Sequence, residues 1–101
     1  MNEKLKMIIN HYGVNSQQRQ FFEEVFEFNE SIIKKEIENT FGETTIKMDE
    51  NNLKHIAEEM ADVMVMLKQF QLYYDISTEE IEKIMQYKID RQIKRIEDDK
   101  R

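Results

Sequence analysis

The chain has 101 residues, a formal net charge of −6 at pH 7 and no Cys. The lack of Cys excludes disulfides and thiolate ligands or nucleophiles, and the negative charge argues against a binder of nucleic-acid polymers, which is normally basic. Because no apolar run approaches the roughly 18 residues of a membrane span and the first residues lack a signal-peptide core, we expect a cytoplasmic protein without membrane contact.

Four helices are expected along the chain. With two Gly, no Pro and many Leu, Ile, Met, Glu and Lys residues, the composition predicts one all-α domain over residues 1–101. The first helix is predicted from Asn2 to Tyr12, where Gly13 stops it in a left-handed conformation.

The second helix is predicted to begin at a cap formed by Asn15 or Ser16 and to end at residues 39–40. Two apolar stripes follow it: Phe21, Val25, Phe28 and Ile32, and Phe22, Phe26, Ile33 and Ile37. A surface helix needs only one stripe, so two stripes indicate a central helix or one that packs on a second subunit. Since a short chain offers few partners, we expect a homodimer or homotetramer. Asn29, between the stripes, is either a polar contact between subunits or part of a base pocket.

An acidic run, Glu23-Glu24-Val25-Phe26-Glu27, lies in the middle of this helix. Glu24 and Glu27 are three positions apart, which places both on one helix face with Cβ atoms about 5–6 Å apart. Glu24 lies about 40° around the helix from Phe28, at the edge of an apolar stripe. Carboxylates in such a position are costly unless something neutralises them.

The segment from Glu43 to Asn51 breaks the helical pattern and is predicted as a loop. The third helix is predicted to start between Asp49 and Asn52 and to end near Tyr74. Its buried side is predicted from the spacing of its apolar residues: Leu53, Ile56, Met60, Val63, Met64 and Leu67.

A second acidic run, Glu58-Glu59-Met60-Ala61-Asp62, repeats the three-residue spacing with Glu59 and Asp62. If antiparallel helices bring the two runs together, their carboxylates form a site for a hard divalent cation, Mg²⁺ first, with Mn²⁺ as a substitute. One such run is more often a solvated surface, but two runs beside apolar faces favour a metal site. His55, one turn before Glu59, either orients a metal-bound water, touches substrate or is a neutral polar residue near the helix start.

The fourth helix begins with a capping box, in which Ser77 and Glu80 satisfy each other's free amides. Its apolar stripe consists of Ile81, Ile84, Met85, Ile89, Ile93 and Ile96. A basic line of Lys88, Arg91 and Arg95 either solvates the surface or binds polyphosphate, since Arg offers a forked donor that fits phosphate oxygens.

The acidic runs and their surroundings resemble a known family. The stretches YGVNSQQRQFFEEVFEF, HIAEEMADVMVML and YKIDRQIKRI are similar to the MazG-like nucleoside triphosphate pyrophosphohydrolases, an all-α superfamily that includes dimeric dUTPases and phosphoribosyl-ATP pyrophosphohydrolase. The similarity extends over most of the chain. The 31 residues between Glu27 and Glu59 are slightly more than is usual in the family, and we assign the extra length to the connecting loop.

The resemblance implies a MazG-like four-helix bundle completed by oligomerisation, with Mg²⁺-dependent hydrolysis of a nucleoside or deoxynucleoside triphosphate to the monophosphate and pyrophosphate. The implied metal ligands are Glu24, Glu27, Glu59 and Asp62. Glu27 is the expected proton acceptor from the attacking water, and Glu23 is the alternative.

Three further residues match substrate-binding positions of the family. Lys88 and Arg91 match its terminal Lys-x-x-Arg and are expected to reach a neighbouring metal site. Gln17 matches a Gln upstream of the acidic run that contacts the nucleotide, although an amide near a helix start is an equal alternative.

Other functions remain open from the sequence. The spacing of the carboxylates alone fits any metal-assisted phosphate hydrolysis, and within the family a dUTPase or a phosphoribosyl-ATP pyrophosphohydrolase is an alternative. Outside enzymes, the pattern also fits a non-catalytic helical homo-oligomer that binds a protein partner or a nucleotide.

Overall fold

A computed structural model describes residues 1–41 and 50–100, without the side chains of residues 50–52. The described residues form four helices and no strand: α1 (Asn2–Tyr12), α2 (Val14–Phe41), α3 (Glu50–Tyr73) and α4 (Thr78–Asp99). This confirms the predicted all-α class. Residues 43–49 of the loop predicted from Glu43 to Asn51 lie outside the described residues, and α3 begins at the last two positions of that predicted loop.

Gly13 alone connects α1 to α2. Its φ of 85° is a conformation that favours glycine, as predicted, but its ψ of 152° lies outside the left-handed helical region. The carbonyl oxygen of Gly13 accepts the first hydrogen bond of α2, from the backbone N–H of Gln17 at 3.1 Å. Helix α2 therefore starts at Val14, and the predicted cap at Asn15 or Ser16 is wrong, because both residues are already helical.

Helices α1, α2 and α3 pack against one another and form the body of the protein. Leu5, Ile9 and Met66 are its fully buried apolar side chains. Phe21 of α2 meets Phe70 of α3 edge to face, with ring centroids 5.6 Å apart. Since the start of α2 meets the end of α3, the two helices run antiparallel.

The inward face of α3 differs from the predicted one. Its most buried apolar positions are spaced by seven, three and four residues, as one helix face requires: Ile56, Val63, Met66 and Phe70. Of the six residues predicted as buried, four are exposed: Leu53, Met60, Met64 and Leu67. Helix α3 carries two apolar faces, and packing on α1 and α2 selects the one that also contains Glu59.

Helix α4 extends away from this body. The Ser77 Oγ accepts a hydrogen bond from the Glu80 backbone N–H at 3.1 Å, which confirms Ser77 as the cap of α4. None of the residues of α4 is fully buried, and most of its apolar stripe is exposed. The radius of gyration, 17.7 Å, exceeds the roughly 13 Å expected for a compact domain of this length.

Within the described ranges, no helix combines the length and the apolar character that crossing a membrane requires.

Candidate metal site

Helices α2 and α3 bring three acidic side chains together. Glu24 and Glu27 of α2 and Glu59 of α3 each offer a carboxylate oxygen, and these oxygens all lie within 4.8 Å of one another. The predicted convergence of the two acidic runs is therefore present for three carboxylates. We refer to these three residues as the acidic cluster.

A side chain one helical turn earlier lies near one oxygen of the Glu24 carboxylate and of the Glu59 carboxylate. The Gln20 Nε2 donates a hydrogen bond of 2.7 Å to Glu24 Oε1. On α3, His55 Nε2 lies 3.6 Å from Glu59 Oε1, and the Glu59 side chain is only 13% exposed. The Gln20 hydrogen bond orients the Glu24 carboxylate, as neighbours of metal ligands commonly do, whereas His55 lies near Glu59 at more than hydrogen-bond distance.

The second oxygens of the same carboxylates are buried and have no hydrogen-bond partner. This holds for Glu24 Oε2 and for Glu59 Oε2. A buried carboxylate oxygen without a partner is unfavourable, and nearby like charges add to the cost. Oxygen ligands of this type suit Mg²⁺ or Mn²⁺, so the donor set fits a divalent cation.

Two acidic residues that the sequence analysis placed in the site are not part of the acidic cluster. Asp62 is exposed and is about 60° around α3 from Glu59, and its carboxylate is not among the three grouped oxygens. Glu23 is exposed on α2, next to the half-buried Glu24. Their roles as metal ligand and alternative proton acceptor stay predictions.

The predicted substrate-binding residues lie apart from the acidic cluster. Lys88 and Arg91 are exposed on α4, where the Arg91 guanidinium lies 5.9 Å from the centre of the Tyr87 ring. Gln17 is buried and donates a hydrogen bond of 2.7 Å to Gln69 Oε1. Their contacts with substrate stay predictions, and α4, which carries Lys88 and Arg91, does not pack extensively on α2 within the described residues.

Some residues of the site were not singled out in the sequence. Gln20 has a recognisable signal, since it stands four residues before Glu24 on the same helix face. Gln69 is a polar residue on the inward face of α3, a signal that appears only once that face is known.

Asn29 is exposed on the single chain, beside the exposed second stripe of α2.

A separate cavity of about 540 Å³ lies between the end of α3 and the start of α4. Its lining is mainly apolar and includes Met64, Phe70, Tyr74, Ile81 and Met85. Met64 is about 140° around α3 from Glu59, so the near end of the cavity opens on another face. The cavity is therefore distinct from the acidic cluster.

Comparison of the chain with protein-family models, with curated proteins and with solved structures gives no match. The MazG-like resemblance thus rests on the sequence stretches quoted above, and the functional argument rests on the acidic cluster.

Proposed function

We propose that the protein is a Mg²⁺-dependent nucleoside triphosphate pyrophosphohydrolase of the MazG-like type. The observation that supports this most is the pair of buried, unpartnered oxygens on Glu24 and Glu59, which belong to two different helices. A solvated acidic surface would leave such oxygens in water, whereas a cation site turns them toward a common point. The resemblance supplies the substrate class and the cleavage between the α- and β-phosphates.

We assign a role to each carboxylate of the acidic cluster from its exposure to solvent. Glu24 and Glu59, both half-buried, would hold the metal, and a hydrogen bond from Gln20 orients Glu24. Glu27 is the exposed member, so its carboxylate is the one that can accept a proton from a water at the substrate. When bound, Mg²⁺ supplies Lewis acidity toward the phosphates and the attacking water.

Lys88 and Arg91 would neutralise the phosphates from a second copy of the chain. On a helix their three-residue spacing places both on one side of α4. Guanidinium and ammonium groups form strong, charge-assisted hydrogen bonds with phosphate oxygens. Because α4 extends from the body, assembly with a partner is the route by which these cations meet an acidic cluster.

The exposed apolar stripes support a homo-oligomer, either a dimer or a tetramer. On α2 the second stripe is open to solvent, with Phe22 at 76% and Phe26 at 63% exposure. On α4, Met85, Ile89 and Ile93 are each about half exposed. Burying an aromatic side chain of this kind removes about 150–250 Å² from water, which is a large driving force for association. A four-helix bundle shared between chains would cover both stripes.

The proposal is tested by incubating the protein and Mg²⁺ with a panel of substrates that includes canonical nucleoside triphosphates, their deoxy forms, dUTP and phosphoribosyl-ATP. Products are separated into monophosphate with pyrophosphate or diphosphate with phosphate. Reaction in ¹⁸O-labelled water should place the label in the monophosphate. Activity that is lost in Glu59→Gln and retained in Glu58→Gln supports the proposal, because Glu58 is exposed on the same helix.

The competing function is a non-catalytic homo-oligomer, which the exposed stripes would serve equally well. Such a protein would hydrolyse none of these substrates and would show the same partner binding in wild type and Glu59→Gln. That result would replace the enzymatic proposal.

A further inference from the structure

We propose that Gln17 and Gln69 form a register pair, which holds α2 and α3 at the one relative position in which the acidic cluster can bind a metal. This inference rests on the proposed function, since it assigns the positioning residues of that same metal site. It gives Gln17 a role different from the nucleotide contact that the resemblance implies.

The two amides lie in the interior and bond to each other. Gln17 is 7% exposed and Gln69 is 1% exposed. The Gln17 Nε2 donates a hydrogen bond of 2.7 Å to Gln69 Oε1, across 52 positions of sequence. The Gln69 Nε2 in turn lies 3.6 Å from the sulfur of Met66, a weak acceptor. Gln17 is thus the partner that satisfies the Gln69 carbonyl.

The register pair and the acidic cluster share one alignment of the antiparallel helices. Ten positions separate Gln17 from Glu27 on α2, and ten separate Glu59 from Gln69 on α3. Ten residues of helix span about 15 Å. Fixing the contact between the two glutamines therefore fixes Glu27 opposite Glu59.

Apolar packing alone specifies this alignment weakly. The contacts beside the register pair, such as the edge-to-face contact of Phe21 with Phe70, are between apolar side chains, and the hydrophobic effect that drives such contacts is non-directional. A slide by one helical turn would be about 5.4 Å, which exceeds the 4.8 Å within which the three carboxylate oxygens lie. Without metal, repulsion between the carboxylates also favours such a slide.

A buried polar pair resists the slide because any other alignment leaves two amides without partners in an apolar interior. This is how a single buried Asn fixes the register of a coiled coil, at a cost in stability. The register pair would serve the metal site in the same way while touching neither metal nor substrate.

The test replaces both partners by apolar residues of similar size, in the double variant Gln17→Leu with Gln69→Leu. Removing both amides leaves neither unpaired, so we expect the variant to melt no lower than wild type. Mn²⁺ is used as the probe and its binding is followed by electron paramagnetic resonance. We expect the Kd for Mn²⁺ to rise roughly tenfold or more, the usual effect of losing a residue that positions metal ligands.

The matched control is Phe21→Leu, which weakens the neighbouring contact of the same two helices and leaves the register pair intact. It should melt lower than wild type and bind Mn²⁺ with unchanged Kd. A purely structural role for the glutamines predicts the reverse pattern, in which metal affinity follows melting temperature. If the double variant does not fold, Gln17→Asn withdraws the amide by one methylene. It should melt lower than wild type, as Phe21→Leu does, but unlike Phe21→Leu it should weaken Mn²⁺ binding.

Spin labels at Arg19 and Tyr73, both exposed, report the alignment directly when labelled chains are diluted with unlabelled ones. The distance distribution should be narrow in wild type and broader or shifted in the double variant. A double variant that keeps both the distribution and the Mn²⁺ Kd of wild type overturns the register pair and leaves the proposed function standing. Wild type that binds no Mn²⁺ overturns both.

Discussion

Replacing Glu59 by Gln separates a metal site from a solvated acidic surface by thermal stability alone. The Glu59 side chain is 13% exposed, and one of its oxygens is buried without a hydrogen-bond partner. In EDTA the Gln side chain removes one of three neighbouring charges and offers an amide donor to Glu24 or Glu27. Without metal, we therefore expect Glu59→Gln to be no less stable than wild type. Its free energy of unfolding should exceed that of wild type by up to about 1 kcal/mol.

Magnesium should reverse this order. A cation that binds only the folded state stabilises it by RT ln(1 + [L]/Kd), about 2.7 kcal/mol at one hundred times Kd. For a domain of this size, each kcal/mol raises the melting temperature by about 4–8 °C, so wild type should gain roughly 10–20 °C. Glu59→Gln should lose most of this gain because it removes a buried ligand.

The assay is a set of melting curves by circular dichroism, in EDTA and in about 5–10 mM Mg²⁺ with matched ionic strength, a concentration roughly a hundredfold above the Kd of a weak site. Protein concentration is held constant because the melting temperature of an oligomer depends on it. The matched control is Glu58→Gln, which makes the same charge change at an exposed position of α3. It should keep the full gain from magnesium.

Equal gains from magnesium in wild type and Glu59→Gln would refute the metal site. So would the absence of a specific magnesium effect in wild type, with little change from either substitution.

Three further predictions concern other parts of the chain. Arg91→Ala should lower kcat/KM by an amount equivalent to about 1.5–3 kcal/mol, the value of a charge-assisted hydrogen bond, without changing Mg²⁺ affinity. Unaltered kinetics in the folded variant would show that Arg91 is a solvated surface residue that does not bind substrate. Phe26→Asp should dissociate the assembly, measured by light scattering, whereas a wild-type particle of 12.3 kDa would contradict the proposed oligomer. Gly13→Ala should reduce the free energy of unfolding by about 1 kcal/mol or more in urea titrations, since its φ of 85° strains other residues although no atom lies within 4 Å of an added Cβ. Unchanged stability of Gly13→Ala would show that the connection between α1 and α2 relaxes at no cost.

Local sequence signals were enough to predict the helices and part of the site. Gly13 ends α1 and Ser77 caps α4, as predicted, and α1 has the predicted bounds. The pairing of Glu24 and Glu27 follows from the helical period. The assumption of two antiparallel helices was enough to predict that this pair would lie close to Glu59.

The choice of buried face could not be predicted in the same way. Helix α3 has apolar residues on two sides, and periodicity alone does not tell which side meets α1 and α2. The prediction therefore missed Met66 and Gln69, which are buried, and included Met64, which is exposed. Asp62 illustrates the same limit, because it has the same three-residue spacing from Glu59 that Glu27 has from Glu24, yet only the α2 pair lies within the grouped oxygens.

The exposed state of α4 has a consequence for how the protein folds. Most helical stability in proteins comes from the packing of an apolar face against other elements. Helix α4 has 22 residues and none is buried, so its own chain contributes little to holding it helical. Its amide protons should exchange with solvent far sooner than those of α1–α3 whenever the chain stands alone. In the proposed assembly, the partner chain that covers α4 would therefore complete its folding, and the ordering of α4 would be coupled to binding.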